Sequence, residues 1–354
     1  MRGISIYLGN QSVAEQEAYI KTMREHGFKT IFTSLHIPEA DQSLYKEQLQ
    51  ELGQLAMKYE MELMADISSQ SLRILGYDWS YAEHLMEWGL TGLRIDYGID
   101  EETIIELSKK MKIALNASTI DADALRRMKK EGLSVQSVEA WHNYYPRPET
   151  GLGYEDFIKQ NKWLKQEGLQ VMAFIPGDEK LRGPLFEKLP TLEEHRHMNP
   201  FACFLELENA DIDKIIIGDS RISTECLEQF AAYQKNELML RAQYCQESNA
   251  AILEMVSGVH TNRPDAARDC IRSVESRQKA VGTIEPVHCI DRPAGTITID
   301  NEQYLRYQGE IQIVKRSLPA DKRVNVVGYI INDDIPLLNW IKGNQRFRIK
   351  WIEE

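Results

Sequence analysis

Four carboxylic acids in the first two-thirds of the chain stand at the ends of short apolar runs: Asp66, Asp96, Glu139 and Asp219. An unpaired carboxylate is costly in apolar surroundings, so four of them converging on one place predict a reactive site. Paired carboxylates act as general acid, general base or nucleophile on glycosidic bonds. Any one of the four could instead hold a loop by accepting backbone N–H bonds, and that alternative stays open for each acid.

A second group of side chains is suited to holding a sugar. The segment Trp141-His-Asn-Tyr-Tyr145 follows the sixth apolar run, and its aromatic rings are suited to stacking on a pyranose. A hydrogen-bonded structural histidine is the alternative for His142. The residues that we expect to contact substrate in this way are His36, Asn116, His142, Asn143 and Tyr145.

Three arginines, Arg147, Arg182 and Arg196, lie in the segments after the sixth and seventh runs. A guanidinium presents a planar fork that matches phosphate, so we expect these side chains to hold a phosphorylated ligand. Surface ion pairs with Glu187 and Glu193 are the alternative.

Metal binding is the less favoured reading of the same residues. His142 with two carboxylates would make a workable set of ligands, but the chain has no HxH or HExxH spacing. We therefore predict no metal and no cofactor.

The elements that must position these residues alternate regularly over the first 235 positions. Eight apolar runs predict strands: Gly3–Leu8, Thr30–Leu35, Glu62–Ile67, Gly92–Asp96, Lys112–Ala117, Ser134–Glu139, Gln170–Ile175 and Lys214–Gly218. Four of the intervening segments end in a glycine typical of a left-handed helix C-cap: Gly27, Gly89, Gly132 and Gly168. Ser12 with Glu15 has the spacing of a capping box, and Asp121 is a candidate N-cap.

Eight strand-then-helix units predict an α/β protein with a (β/α)8 TIM barrel over residues 1–235. In that fold the active site lies at the C-terminal ends of the strands. A doubly wound open sheet is the alternative, but no GxGxxG follows the first strand.

Residues 236–354 have a different pattern and predict a second domain. A helix is expected over Arg241–Met255, followed by a small, mostly antiparallel β-barrel or sandwich. Its predicted strands are Gly295–Asp300, Glu310–Val314, Asn325–Ile331 and Arg346–Trp351.

Composition excludes several classes of protein. The formal net charge of −12 argues against a nucleic-acid binder, and no apolar run is long enough to span a membrane. The first residues read as a strand rather than a signal peptide, and the five cysteines show no CxxC, which fits a reducing compartment. We therefore expect a cytoplasmic protein without nucleic-acid or membrane partners, and a homo-oligomer is left open.

Three segments carry a resemblance to a known family. Asn143-Tyr-Tyr-Pro-Arg-Pro-Glu-Thr-Gly-Leu152, Arg182-Gly-Pro-Leu185 and Leu189-Pro-Thr-Leu-Glu-Glu-His-Arg196 resemble the MupG-type 6-phospho-N-acetylmuramidase family, and the resemblance runs the whole length. It implies a TIM barrel followed by a cyclophilin-like β-domain. It also implies cytoplasmic hydrolysis of a small phosphorylated disaccharide, MurNAc-6-phosphate–GlcNAc, during recycling of cell-wall peptidoglycan.

For that reaction we expect Asp96 and Glu139 to be the principal acid pair, with Asp66 and Asp219 in reserve. If the acetamido oxygen of the substrate attacks, one acid only orients that group. The alternative enzyme is a metal-dependent sugar-phosphate aldolase, epimerase or isomerase on the same barrel. A non-catalytic sugar-phosphate-binding protein is a further alternative, which the group of acids disfavours.

Overall fold

A computed structural model describes residues 1–9, 11–35, 44–95, 99–246, 250–280 and 282–352 of the 354-residue chain. The chain divides into two compact units, Met1–Ser223 and Thr224–Glu354. This division precedes the boundary predicted after residue 235, because α8 (Thr224–Gln234) packs against β9 (Glu237–Tyr244) of the second unit. No helix among the described residues is long and apolar enough to cross a membrane.

The first unit is a closed barrel of eight parallel strands, in which each strand pairs with the next and β8 pairs with β1. The strands are β1 Arg2–Ser5, β2 Thr30–Ser34, β3 Glu62–Ile67, β4 Gly92–Ile95, β5 Lys112–Asn116, β6 Val138–Trp141, β7 Gln170–Ile175 and β8 Lys214–Ile217. The helices between them are α1 Val13–Glu25, α2 Tyr45–Lys58, α3 Ser69–Ile74, α4 Glu101–Ser108, α5 Ala122–Lys130, α6 Tyr154–Gln166 and α7 Pro200–Asn209. Short 3-10 helices span Trp79–Trp88, Val135–Ser137 and Glu193–His197. The predicted eight-stranded parallel barrel is confirmed.

Local sequence signals explain where several helices begin and end. The Ser12 hydroxyl accepts from the N–H of Glu15, whose carboxylate accepts from the N–H of Ser12, so α1 begins with the predicted capping box. Asp121 caps α5 by accepting the N–H groups of Asp123 and Ala124. The four predicted C-cap glycines have φ values between 81° and 102°, a region in which residues with a Cβ are strained.

The barrel interior is layered because side chains of a strand alternate between its two faces. In β3, Glu62, Met64 and Asp66 lie on one face. Met64 belongs to an apolar cluster in the middle of the barrel, with Phe32, Trp141, Met172 and Ile216 among its members. Glu62 lies below that cluster, at the N-terminal end of the strands, and Asp66 lies above it, at the mouth.

One predicted strand is displaced, and the displacement matters for the site. The expectation that Ser134–Glu139 forms the sixth strand is wrong, since Val135–Ser137 is a 3-10 turn and β6 runs Val138–Trp141. Val135 in the turn and Val138 at the start of β6 together resemble a strand pattern, but α5 ends only at Lys130 and the chain needs the turn before it enters the barrel. Glu139 is therefore the second residue of β6 rather than its last.

The second unit contains a seven-stranded mixed sheet in the order β10-β15-β9-β14-β12-β13-β11. After β9 its strands are β10 Gly258–Thr261, β11 Cys270–Arg272, β12 Thr296–Asp300, β13 Ile311–Val314, β14 Val324–Ile330 and β15 Arg346–Trp351. Its remaining helices are α9 Ala250–Val256, α10 Ser276–Lys279 and the 3-10 helices Glu302–Tyr307 and Asn332–Trp340. The four predicted strands are confirmed within a residue at each end.

The helix predicted over Arg241–Met255 is wrong in its first part. Glu237–Tyr244 forms β9, which pairs in parallel with β15 and antiparallel with β14. Pairing on both sides outweighs the helix propensity of its Leu, Met, Arg and Gln residues.

Candidate active site

An ion pair lies at the floor of the barrel mouth. The guanidinium of Arg94, on β4, donates to Asp66 Oδ1 on β3 at 2.7 Å and also to the side-chain oxygen of Asn143. The Ser34 hydroxyl, at the end of β2, donates to Asp66 Oδ2 at 3.3 Å. Arg94 is almost fully buried, while the Asp66 side chain keeps 14% exposure. The Asp66 carboxyl group is thus held in a fixed orientation with access from the mouth.

Aromatic rings and a second arginine form the wall of the mouth. The Arg182 guanidinium lies 4.4 Å from the centroid of the Tyr7 ring and donates to the Tyr144 hydroxyl at 3.0 Å. Tyr144 in turn packs edge-on against Phe32 and Phe174. Burial raises the pKa of both tyrosines above the ordinary value, so both hydroxyls stay protonated at neutral pH.

These groups enclose a cavity of about 190 Å³. Its lining residues are Phe32, Ser34, Asp66, Arg94, Asn143, Tyr144 and Phe174. One carboxylate, one guanidinium, an amide and aromatic faces on one small cavity are suited to an anionic or polyhydroxylated ligand. Two residues predicted from sequence, Asp66 and Asn143, line this cavity, and a third, Arg182, contacts its lining residue Tyr144.

Asp219 holds loops rather than facing the cavity. Its buried carboxylate accepts the backbone N–H groups of Gly177, Arg182 and Leu189 at 2.8, 3.0 and 3.0 Å. Burial raises the pKa of Asp219 even though these N–H groups oppose the rise. For Asp219 the geometry therefore supports a loop-orienting role, which was the alternative to a catalytic one.

Glu139 lies at the opposite end of the barrel from the mouth. Its carboxylate accepts from Lys214 Nζ at 2.8 Å and from the indole N–H of Trp141 at 2.7 Å. Lys214 also pairs with Glu62 at 2.9 Å, so Glu139 and Glu62 share a layer. Since a strand rises about 3.3 Å per residue, that layer lies about 13 Å along β3 from Asp66. The expectation that Glu139 stands at the mouth is wrong, because β6 begins at Val138.

Two lysines keep the Glu62 carboxylate of this lower layer ionised. Burial alone would raise the pKa of Glu62, but the ammonium groups of Lys214 and Lys112 outweigh it and hold that pKa at about 2. Lys112 also lies 3.6 Å from Glu139. A network at the N-terminal end of a barrel lies away from the active-site end and serves stability rather than chemistry.

Arg196 is buried and its guanidinium is taken up by hydrogen bonds within the protein, contrary to the expectation that it binds phosphate. It donates to both carboxylate oxygens of Glu193 and to the backbone oxygens of Glu187, Lys188, Tyr145 and Arg147. These bonds use all five guanidinium N–H groups. Arg147 contributes its carbonyl oxygen to this arrangement, and its own side chain is exposed.

The other predicted binding residues are spread over several places. His142 is buried with its Nε2 2.7 Å from Asn161 Oδ1 on α6, outside the barrel ring. Asn116 accepts the N–H of Ser118 in a local turn. Tyr145 is tied by backbone bonds to Pro190 and Arg196. None of these three lines the mouth cavity.

Two predicted residues, Asp96 and His36, lie outside the described residues. Their roles stay predictions. Among the described residues, no group of three His, Cys, Asp or Glu side chains is placed to hold a metal ion.

Arg94 and Tyr7 are among the residues of the mouth that sequence reasoning missed. Arg94 had a signal: it is a charged residue inside the apolar run Gly92-Leu-Arg-Ile95, and a buried arginine requires an acidic partner. Nothing in the sequence marked Tyr7 as a site residue, because a tyrosine near the end of a strand is common in protein cores.

Comparisons with known proteins cover the whole chain. Two family models match, 6-phospho-N-acetylmuramidase, N-terminal, over residues 2–232 and 6-phospho-N-acetylmuramidase, C-terminal, over residues 238–350. The chain is similar to a conserved Enterococcus faecalis protein of unknown function, with 44% identity, a TM-score of 0.91 and coverage of 99% of this chain and 96% of that one. It is also similar to an uncharacterized B. cereus protein, with 27% identity, a TM-score of 0.75 and 99% coverage of both chains. No curated protein matches it at a significant level.

Proposed function

Because the chain belongs to the 6-phospho-N-acetylmuramidase family, we propose that it hydrolyses MurNAc-6-phosphate–GlcNAc at the glycosidic bond. The observation that carries the proposal is the Asp66–Arg94 pair at the floor of the mouth, with Tyr144 and Arg182 beside it. Family membership supplies the reaction class, and this cavity supplies a carboxylate and cations suited to a phosphorylated sugar.

Asp66 is suited to the ionised role in this reaction. Its ion pair with Arg94 stabilises the carboxylate, which fits a group that attacks the anomeric carbon or orients the acetamido group of the substrate. A second, protonated acid must give its proton to the glycosidic oxygen as the C–O bond breaks. Water then adds to the anomeric carbon and returns a proton to that acid. Asp96 directly follows β4 in the sequence and is the proposed proton donor.

Arg182 is the proposed phosphate-binding residue. Its guanidinium uses one N–H group on Tyr144 and stacks on Tyr7, which leaves its other edge for a ligand. The whole chain is acidic, so a phosphate needs a local cation of this kind to offset the net repulsion.

The proposal extends to the setting of the reaction. A disaccharide that carries a 6-phosphate requires a kinase or a phosphotransferase before this step, which is consistent with cytoplasmic recycling of peptidoglycan. A cyclophilin-like identity for the second unit belongs to the same proposal and rests on the family resemblance.

The test is release of N-acetylglucosamine from the phosphorylated disaccharide, compared with the unphosphorylated one. Asp66→Asn should lower kcat by at least a thousandfold, equivalent to about 4 kcal/mol of barrier. Asp123→Asn, on the exposed surface of α5, should change nothing. Equal kcat/KM on the two disaccharides in the wild type would rule out the phosphate requirement, and turnover by Asp66→Asn within tenfold of wild type would rule out the role of Asp66.

A further inference from the structure

The mouth cavity is smaller than the substrate that the family resemblance implies. Its volume is about 190 Å³, whereas sites for small molecules are usually about 300–1,000 Å³. Only a part of a phosphorylated disaccharide can therefore enter it. Three aromatic rings supply its apolar surface, with Phe32 and Tyr144 each packed edge-on against Phe174 at centroid distances of 5.2 and 5.1 Å. The part that enters must suit both these rings and the polar groups of the cavity.

Arg94 fixes the orientation of one of those polar groups, the Asn143 amide. The Arg94 guanidinium donates to the side chain of Asn143, and because a guanidinium has no acceptor, the amide oxygen and not the nitrogen must face it. The backbone of Asn143 is held as well, since its carbonyl oxygen accepts the hydroxyl of buried Thr191 at 2.8 Å. The amide nitrogen has no hydrogen-bond partner among the described residues and is not among the unpaired polar atoms that are shut off from solvent. It is an available donor in a fixed place.

Asp66 supplies an acceptor to the same cavity. Its Oδ1 accepts from Arg94 at 2.7 Å and its Oδ2 accepts from Ser34 at 3.3 Å. A carboxyl oxygen has two lone pairs, so each oxygen retains one for a ligand. Different terminal nitrogens of Arg94 hold Asp66 and Asn143. The acceptor and the donor are therefore separate groups on one cavity wall.

A secondary amide complements this pair better than a hydroxyl group does. Its N–H and its carbonyl oxygen are on separate atoms, so it can donate to Asp66 and accept from Asn143 at the same time. A hydroxyl donates and accepts at a single oxygen and offers nothing to the aromatic surface. The methyl group of an acetamido substituent is apolar and gains from burial against Phe32 and Phe174.

We propose that the mouth cavity holds an acetamido group, with Asn143 donating to its carbonyl oxygen, Asp66 accepting its N–H and the aromatic rings contacting its methyl group. Asn143 thereby selects N-acetylated sugars over sugars with a hydroxyl at the same carbon. The assignment rests on the proposed function for the identity of the sugar. Of the two roles left open for Asp66 above, it favours orienting the acetamido group over attack on the anomeric carbon.

The test compares two ligands that need no hydrolysis and differ only at carbon 2, N-acetylglucosamine 6-phosphate and glucose 6-phosphate. In calorimetric titrations of the full chain, the acetylated sugar should bind roughly tenfold or more tightly, because the hydroxyl analogue leaves Asn143 or Asp66 unpaired. The ¹H resonance of its acetyl methyl group should shift on binding, because that group lies against aromatic rings.

Asn143→Asp keeps the oxygen that Arg94 binds and removes the donor. The ratio of the two affinities should fall to about threefold or less. Because both sugars carry the phosphate, the added negative charge affects both and cancels in the ratio. Asn143→Ala, which adds no charge, should lower the ratio in the same way. Asn209→Asp makes the matched change at the exposed last residue of α7 and should leave the ratio as in the wild type.

Equal affinity of the wild type for the two sugars, or no binding of the acetylated one at tens of millimolar, would overturn the proposal. A ratio that stays at the wild-type value in both Asn143 variants would overturn the role of Asn143. A wild type that prefers the acetylated sugar but does not hydrolyse the phosphorylated disaccharide would contradict the proposed function and support the acetamido site. Hydrolysis without that preference would do the reverse.

Discussion

At the scale of single residues, three of the four acids with the same sequence context lie within the described residues, and their surroundings differ. Asp66 meets an arginine at the mouth, Asp219 binds three backbone N–H groups, and Glu139 binds a lysine at the far end of the barrel. The sequence placed each at a strand end but could not specify its partner, because partners come from other strands. An error of two residues in one strand boundary moved Glu139 from one end of the barrel to the other.

The contrast between the two ends of the barrel gives a prediction for Glu139. Glu139→Gln should lower the free energy of unfolding by roughly 1–3 kcal/mol, because it weakens the partner of buried Lys214 and of the Trp141 indole. It should leave kcat within about twofold. Urea unfolding at pH 7 and steady-state kinetics check the two parts, with the exposed Glu131→Gln as the control. A large loss of kcat in a stable Glu139→Gln protein would return this residue to the catalytic pair.

Arg182 carries the prediction for phosphate recognition. A charge-assisted contact contributes roughly 1.5–3 kcal/mol, so Arg182→Ala should raise KM for the phosphorylated disaccharide roughly tenfold to a hundredfold. The weak activity on the unphosphorylated disaccharide should stay nearly constant. Arg126→Ala, on the exposed face of α5, is the matched control. If KM does not change, the phosphate is held by other groups, with exposed Arg147 the first to test.

At the scale of elements, the loops after β6 and β7 are fastened to each other by one ion pair. Arg196 binds backbone oxygens of both loops, and its partner Glu193 accepts the N–H groups of Glu149 and Gly151 at 2.8 and 2.7 Å. Arg196 holds the pKa of Glu193 at about 2, against the effect of burial and with help from those N–H groups. The loops that carry Tyr144 and Arg182 are thus preorganised.

The Arg196–Glu193 ion pair predicts a local change in hydrogen exchange. Arg196→Lys keeps the charge but lacks the planar fork, so it cannot reach both loops and Glu193 at once. The amides of Glu149 and Gly151 should exchange at least tenfold faster in the variant. The amide of Gly177, which is held by Asp219, should keep its protection and serves as the internal control. Unchanged protection at Glu149 and Gly151 would show that the loops hold their shape without the Arg196–Glu193 ion pair.

Most elements could be predicted because their signals are local. Gly27 and Gly132 end helices by adopting positive φ, and β12 is an alternating run that needs no knowledge of its neighbours. The failures needed distant information. β9 is a strand because β14 and β15 pair with it, and both partners lie more than 80 residues further along the chain in the paired register. The position of the mouth, at the C-terminal ends of the strands, could be predicted. Its Arg94–Asp66 pair could not, because that pair depends on the register between two strands.

At the scale of the whole molecule, each of the two units contains a carboxylate whose pKa is displaced, and the displacements are opposite. Glu62 in the barrel has its pKa held at about 2, below its ordinary value of 4.5. In the second unit, burial raises the pKa of Asp300 from 3.8 to about 7, and the nearby carboxylates of Glu310 and Asp321 add to the rise. Protonation of these two carboxylates therefore acts on stability in opposite directions.

The sign of each effect follows from proton binding. Between pH 4.5 and about 2, the unfolded chain binds more protons at Glu62 than the folded barrel does, so stability of the barrel is lost as the pH falls. Between pH 3.8 and about 7, the folded second unit binds more protons at Asp300 than the unfolded chain does. The contribution of Asp300 to the free energy of unfolding therefore falls as the pH rises through that window.

We expect hydrogen exchange of the most protected amides to show these responses separately in the two units. On going from pH 5 to pH 8, after correction for the intrinsic rate, protection in β12 and β13 should fall because Asp300 ionises in a buried site. Protection in β3 should not fall for this reason, because Glu62 is ionised in both the folded and the unfolded chain throughout that range. Asp300→Asn removes this titrating group, so it should stabilise the second unit at pH 8, remove the part of its pH dependence that comes from Asp300 and leave the response of the barrel as in the wild type. A second unit whose protection in the wild type is equal at pH 5 and pH 8 would contradict the raised pKa of Asp300.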